Sequence, residues 1–396
     1  MDTNQSLPGT LAENMQLTVF KEYNIAQISF LIACGSALQL AEYFIPIPVP
    51  GLRMGLANIS TLIGLVLFGP PAAMEIALFQ PIVASMTNGT FLSPGFFLTL
   101  SGSLGCFLFM SAVYYLFRKR NPLPVIGIAI IGMLGYSVTQ ILVTYFWFIR
   151  HKGVFVLSPL VIVASIAMGY VVGRAGKYAM RRLILEKDLK DENAILFQLG
   201  KEEFGAPALK DKIKLVAALA MVASTIFWGN TRIYLGLILL VLVLIYVYGH
   251  SLHLTRLFRL SGAILFSFVL PVLFTVQGDI YWHWGWITVS SVGVHQGILF
   301  SLRLIFLIMI SIWIGLTDPR TLSQELAWVL SPLKIFHFSV ERIPRLLSLS
   351  LSFIPVVWEK LTHVKPKTMR NVLNALAAFF VTLEAESEDV SIDNEQ

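Results

Sequence analysis

The chain has 396 residues, 56% apolar and only 13% charged, with a formal net charge of +6. The charges cluster between long apolar runs instead of alternating along amphipathic faces, which excludes an ordinary soluble domain and marks an all-α, polytopic integral membrane protein. In a soluble chain the positive balance would raise nucleic acid as a partner; here the basic residues sit at the ends of apolar segments, where the lipid bilayer explains them and nucleic acid is not needed.

Residues 1–16 are polar and lack a basic region followed by a short apolar core, so no removable signal is read, and residues 1–24 read as a cytoplasmic N-terminal segment. Apolar segments then run over 25–44, 59–68, 71–86, 96–117, 124–149 and 154–175, the second and third poorly separated, and predict a six-helix membrane domain over 25–180. Residues 181–212 turn to mixed charge, including Glu186, Lys187, Asp188, Lys190, Asp191 and Glu192, and read as a cytoplasmic linker. Four more spans follow over 215–228, 233–249, 260–276 and 294–316, for about ten in all. Beyond them Arg320, Lys334, Arg342, Arg345 and Lys360 alternate with apolar residues at helical spacing, which suits helices lying at the cytoplasmic interface within a second domain over 213–370. Residues 371–396 read as a last helix and an acidic tail.

Arg118-Lys119-Arg120, Arg181-Arg182, Arg256 with Arg259, and Arg320 onward fall on one side of a ten-span path, which makes that side and both termini cytoplasmic. The opposite loop around Tyr281-Trp282-His283-Trp284-Gly285-Trp286 has three Trp and no Lys or Arg, as an outer aromatic belt would. Arg150 and Lys152 depart from this rule. Cys34 and Cys106 lie in predicted spans without a metal-type spacing and read as packing residues.

Ala33, Ala37 and Ala41 recur every four residues on the first span, so they share one face and permit close helix docking in lipid. At its outer end, Ile45-Pro46-Ile47-Pro48-Val49-Pro50-Gly51 resists regular helix, with Glu42 before it and Arg53 and Asn58 after it. Ionisable groups at membrane depth are costly without partners or water, so Glu42 and Arg53 are candidate ligand groups as well as a candidate ion pair. Glu75, Gln80, Asn88, Ser93, Ser101 and Gln140 interrupt otherwise apolar segments. The candidate small-molecule site drawn from these positions is Glu42, Arg53, Asn58, Gln80, Asn88 and Ser101, with Gln and Asn fixing orientation. Arg303 lies inside the tenth span and requires a partner or cavity that the sequence does not identify. His250 and His253 are one turn apart but lack further ligands, so no metal and no cofactor is expected. There is no phosphate-binding Gly-x-x-x-x-Gly-Lys-Ser/Thr loop and no paired-aspartate motif of prenyl synthases, and the chain reads as a non-enzyme.

Pro-Gly-Leu-Arg-Met-Gly-Leu-Ala-Asn-Ile at 50–59 and Gly-Thr-Phe-Leu-Ser-Pro at 89–94 resemble the Gx transporter family, often labelled heptaprenyl diphosphate synthase component I. That family is similar to the substrate-binding S components of energy-coupling factor transporters, and the resemblance covers about 25–180. In S components an Ala-x-x-x-Ala pattern on the first helix docks on the transmembrane coupling subunit, which implies that role for Ala33, Ala37 and Ala41. Ser301-Leu302-Arg303-Leu304, Thr317-Asp318-Pro319-Arg320, Glu325-Leu326, Leu330-Ser331-Pro332-Leu333, Ser352-Phe353-Ile354-Pro355 and Glu359 resemble that coupling subunit, the T component, over about 212–370. The resemblance implies ABC-type ATPase subunits as partners, contacted through Arg320, Arg342, Arg345 and Arg370. T components usually carry two Ala-Arg-Gly-like motifs; here Met369-Arg370-Asn371 corresponds to the first and a clear second is missing. Cobalt and nickel S components keep a His beside the initiator Met, whereas this chain begins Met1-Asp2, which disfavours those metals as substrate.

The leading expectation is a transport protein of the energy-coupling factor type in a bacterial-type cell membrane, importing a small organic molecule with energy from separate ATPases. Arg53 makes an anionic or carbonyl-rich substrate plausible. The alternative is a non-transporting membrane accessory in quinone or isoprenoid metabolism or membrane electron transfer.

Overall fold

The structure, a computed structural model, describes residues 25–42, 55–117, 124–149, 152–186, 209–247, 278–284, 287–330 and 342–363, with scattered positions between 265 and 275. The expectations for the 1–24 segment, Arg53, the His250 and His253 pair, Lys334, Arg370 and the C-terminal tail fall outside these residues, as do most of the predicted span over 260–276 and most of the linker.

The first region is built from α1 (Ile25–Glu42), α2 (Asn58–Leu67), α3 (Pro70–Thr87), α4 (Pro94–Phe117), α5 (Val125–Val143) and α6 (Ser158–Glu186). A π-helical turn, Thr144–Ile149, prolongs α5, and a 3₁₀ segment, Lys152–Leu157, leads into α6. The second region holds α7 (Leu209–Phe227), α8 (Thr231–Val247), a hairpin of β1 (Ile280–Trp284) and β2 (Ile287–Ser290), α9 (Ser291–Ile314), α10 (Pro319–Val329) and α11 (Arg342–His363).

Among the described residues, five helices are long and apolar enough to cross a membrane: α1, α4, α5 with its π turn, α6 over Ser158–Met180, and α9. The protein is therefore a polytopic all-α membrane protein, although α2 and α8 are shorter apolar helices than the ten-span path assumes. The second and third predicted spans separate at Gly69, whose φ of +92° is open to glycine and strained for other residues; Pro70 and Pro71 then start α3 where missing amide donors cost nothing. The polar boundary drawn at 181 is not a break in the backbone, because α6 continues to Glu186, and α7 begins at Leu209, before the predicted start of the second region.

Where the sequence suggested an irregular Trp-rich loop, the chain forms an antiparallel hairpin, with Trp282 paired to Val289 and Trp284 to Ile287. The run Ile280-Tyr-Trp-His-Trp is rich in the aromatic and β-branched types that fit a pleated ribbon. Side-chain caps then set two helix starts. Ser290 accepts from the Gly293 amide at 3.1 Å to begin α9, and Asp318 accepts from the Arg320 amide at 3.3 Å, with Pro319 at the first position of α10.

Packing within the first region depends on backbone approach. On α6, a Cβ added at Gly169 would lie 2.5 Å from Ile130 Cα, and one at Gly173 would lie 2.7 Å from Ile126 Cα. Both pairs are spaced by four, so one small-residue stripe of α6 lies directly on the backbone of α5, the arrangement that van der Waals association in lipid favours. Gly105 on α4 likewise sits on the Gly135 carbonyl and the Thr139 side chain of α5. By contrast, α8 buries only Tyr234, Val241 and Ile245 and leaves Leu235, Leu239, Val243 and Tyr246 exposed, a one-sided helix whose outer face suits lipid.

Gly173→Val in the purified protein should lower the unfolding free energy by about 1–3 kcal/mol, the range for overpacking a tight contact. Gly236→Ala on α8, where an added Cβ meets nothing within 4 Å, should leave it unchanged or slightly raised. Denaturant titration in detergent micelles reads both.

Candidate functional site

Two polar constellations stand out, one inside the first region and one on the seam between the regions.

Inside the first region, α1, α2 and α3 pack on one another. Glu42, at the end of α1 and only 4% exposed, accepts a hydrogen bond from the Leu56 amide just before α2. Asn58 opens α2 fully buried: its Nδ2 donates to the Gly55 carbonyl at 3.1 Å and lies 3.7 Å from Met133 Sδ, while its Oδ1 accepts from Ser103 at 3.4 Å. Gln80 on α3 is 1% exposed; its backbone carbonyl accepts from Ser36 at 3.0 Å, and its side chain occupies the space beside Gly35, where an added Cβ would lie 2.3 Å from Oε1. Glu42 thus ties the end of α1 to the approach to α2 and Gln80 packs on α1, whereas the Asn58 side chain faces Ser103 of α4 and Met133 of α5.

The other predicted ligand residues lie elsewhere. Asn88 is the half-buried C-cap of α3, its amide bonded to the Ala84 carbonyl, and the Ser101 hydroxyl turns back to the Leu98 carbonyl of its own helix at 3.2 Å. Gln140, noted in the sequence but left out of the candidate set, reaches that same Leu98 carbonyl at 3.3 Å and ties α5 to α4.

The seam has two parts. α1 packs against α11, where Phe30 meets Phe353 edge-to-face at 6.1 Å between centroids. With 3.6 residues per turn, Ala33, Ala37 and Ala41 fall on the Phe30 side of α1, whereas Gly35, Gln39 and Glu42 fall on the opposite side, towards α3. Ala33 and Ala37 are completely buried and Ala41 is half-buried. α11 supports this contact with a single buried stripe, Ile343, Leu346, Leu347, Ser350, Phe353, Ile354 and Val357, spaced by three and four. α3 also touches α10 and α11.

The second part centres on Arg303 of α9, 1% exposed and the largest of the fully buried side chains described. Its Nη1 donates to the carbonyls of Trp147 at 2.5 Å and Phe148 at 3.4 Å, both in the π turn of the first region. Its Nη2 donates to the Trp228 carbonyl at 3.3 Å and its Nε to the Tyr234 hydroxyl at 3.0 Å. The carbonyls come from two helix C-termini, the π turn ending at Ile149 and α7 ending at Phe227. Such ends carry unsatisfied carbonyls and a partial negative charge, so they solvate a guanidinium in a low-dielectric setting. Tyr234 and Phe300 add ring faces 5.7 and 5.9 Å from Cζ. Beside them the Trp147 indole donates to Thr225 Oγ1 at 2.9 Å and packs on Phe97.

None of Trp147, Thr225, Trp228 and Tyr234 was a sequence candidate. Three of Arg303's partner groups are backbone carbonyls, which every residue has, so spacing could not have exposed them; Arg303 itself was the visible half of the arrangement. Of the predicted coupling residues, Arg320 and Arg345 are exposed near the starts of α10 and α11, and Arg342 is half-buried at the first position of α11.

Comparisons with known proteins match two separate stretches of the chain. Residues 31–179 match the family described as heptaprenyl diphosphate synthase component I, and residues 206–366 match the family described as cobalt transport protein. Among curated proteins, the energy-coupling factor transporter transmembrane protein EcfT of Lacticaseibacillus paracasei is 28% identical over 163 residues, 39% of this chain and 60% of that protein. The EcfT of Streptococcus thermophilus is 33% identical over 164 residues, 39% of this chain and 60% of the relative, and that of Brevibacillus brevis is 40% identical over 109 residues, 27% of this chain and 41% of the relative. The chain thus spans less than two thirds of the length of the curated relatives it matches. No solved structure matches. This polypeptide therefore carries, in order, a region that matches the heptaprenyl diphosphate synthase component I family and a region that matches the cobalt transport protein family, the second similar to energy-coupling factor transmembrane proteins.

Proposed function

We propose that the chain is a membrane transport protein of the energy-coupling factor type in which residues 25–180 bind a small organic molecule and residues 213–370 transmit the motion of separate ATPase subunits. The observation that carries this reading is the seam: the small-residue face of α1, in the region that would bind the substrate, is buried against α11 of the region similar to EcfT. Two units that would otherwise meet by diffusion in the bilayer are held in one chain, which raises their effective concentration and fixes their ratio at one to one. The exposed Arg320 and Arg345, with Arg342 and Arg370, are the groups proposed to meet the ATPases, both termini lying on that cytoplasmic side of the cell membrane. Arg303 is proposed as a positioning residue that holds the π turn of the first region against α7 and α8 of the second.

Co-expression with ABC-type ATPase subunits of an energy-coupling factor transporter should give a complex that survives detergent extraction and drives ATP-dependent uptake. Isolation of the chain alone under the same conditions would sink the transport reading. Reversing both exposed charges, Arg320→Glu with Arg345→Glu, should reduce ATPase retention at least about tenfold while leaving membrane insertion intact. Ala37→Leu should force α1 from α11 at a cost of about 1–3 kcal/mol and abolish uptake without removing the protein from the membrane. Arg303→Lys should destabilise the protein by about 1.5–3 kcal/mol, since an ammonium cannot reproduce a planar fork shared among four oxygens; thermal unfolding in nanodiscs, with a Trp147 fluorescence change, reports it.

A further inference from the structure

α7 carries its charge at one end. Lys210, Asp211, Lys212 and Lys214 fall at its start, and Leu215 to Trp228 then run without a charged residue. The helical period sorts the rest into two opposed stripes. Leu215, Ala218, Val222 and Thr225 are buried, as expected of a helix that packs on α9 and α10, whereas Ile213, Val216, Ala220, Ala223 and Phe227 are exposed. The exposed stripe holds no polar side chain and extends about 21 Å from Ile213 to Phe227, more than half of the roughly 30 Å hydrocarbon layer.

Two half-buried lysines at the charged end take different directions. Lys214 Nζ donates to Thr317 Oγ1 at 2.8 Å and lies 5.6 Å from the ring centroid of Trp313, inside the contact with α9. Lys212, four residues before Val216, heads the exposed stripe, and its Nζ lies 5.2 Å from the ring centroid of Trp328 on α10, itself 46% exposed. A ring face attracts an ammonium through its quadrupole and offers no lone pair, so it positions the charge while leaving it able to donate to oxygen acceptors. A partly exposed Trp is also the side chain favoured at headgroup level.

We propose that the Lys212–Trp328 pair and the exposed stripe of α7 together bind one anionic phospholipid, its phosphate on the Lys212 ammonium and an acyl chain along Ile213, Val216, Ala220 and Phe227. A cation followed by an apolar stripe on one helix face matches the order of phosphate and chain in a phospholipid. A zwitterionic headgroup would bring its own ammonium to a helix end whose sequence holds three Lys against one Asp, so charge selects an anionic one. The inference needs the membrane setting of the chain and not its coupling to ATPases.

The test uses the full chain, purified without ATPases in micelles holding equal amounts of a phosphatidylglycerol and a phosphatidylcholine with the same acyl chains. Native mass spectrometry should show phosphatidylglycerol retained over phosphatidylcholine by about fivefold or more, the factor one basic residue contributes near an anionic headgroup. Lys212→Gln should remove the preference and Lys212→Arg should keep it. Arg232→Gln, which lowers the net charge equally but lies exposed at the start of α8, should also keep it. Inorganic phosphate at about 10 mM should not displace the lipid, because a free anion gains nothing from the apolar stripe. Equal retention of the two lipids, a preference that survives Lys212→Gln, one lost equally in Arg232→Gln, or one lost to free phosphate would overturn the proposal. So would a stable lipid-free dimer, which would assign the stripe to a second copy of the chain.

Discussion

A guanidinium in the interior of a membrane protein has to be solvated by the protein, and that requirement organises the seam around Arg303. Among its partners are carbonyls at the ends of two helices and a tyrosine hydroxyl, drawn from both halves of the chain. Carbonyls at helix ends spread a buried positive charge over several peptide dipoles. The geometry then demands that α5, α7, α8 and α9 keep their relative positions, since moving any of them takes an acceptor from a buried cation. The π turn fits this demand: a wide turn leaves the Trp147 and Phe148 carbonyls available to an outside donor, and such turns are frequent where a helix does more than span.

The same logic divides α1 into two faces with different tasks. Its Phe30–Ala33–Ala37 side is dry and closely packed, gaining its energy from shape against the Phe353 stripe of α11. Its Gly35–Gln39–Glu42 side is polar, with Glu42 holding the Leu56 amide and the Gln39 side-chain oxygen enclosed without a hydrogen bond. A helix that is rigid on one face and polar on the other can report the occupancy of one to its neighbour across the other, because a shift of one side chain in a packed layer is felt by the next. That connects the polar contact to the second half through about one helix diameter, roughly 10 Å.

Sequence and structure agree where the signal is additive over many residues. Long apolar runs, the charged break after 180 and the amphipathic stripe that became α11 all sum small preferences, so the two-region organisation was legible. The every-fourth-residue spacing of Ala33, Ala37 and Ala41 was legible for the same reason. The candidate residues divide: Glu42 and Gln80 meet neighbouring segments and Asn58 reaches α4 and α5, but the Ser101 hydroxyl returns to its own helix, and nothing in residue type distinguishes a polar side chain that turns back from one that reaches across. Gln39, outside the candidate set, proves buried on the α3 side of α1, a placement that depends on the helical phase of α1 relative to α3. The hairpin was missed because three Trp in a short polar-flanked stretch read equally as an interfacial loop and as a β-ribbon.

The length of α6 carries a further consequence. Twenty-nine residues at about 1.5 Å each reach about 43 Å, beyond the roughly 30 Å of the hydrocarbon layer even with ordinary tilt. The excess, about two turns, carries the helix through the headgroups at its Arg181–Arg182 end, so the first region terminates in a stiff post standing off the membrane. The charged run that follows Glu186 in the sequence, Lys187, Asp188, Lys190, Asp191 and Glu192, has the composition such a setting favours.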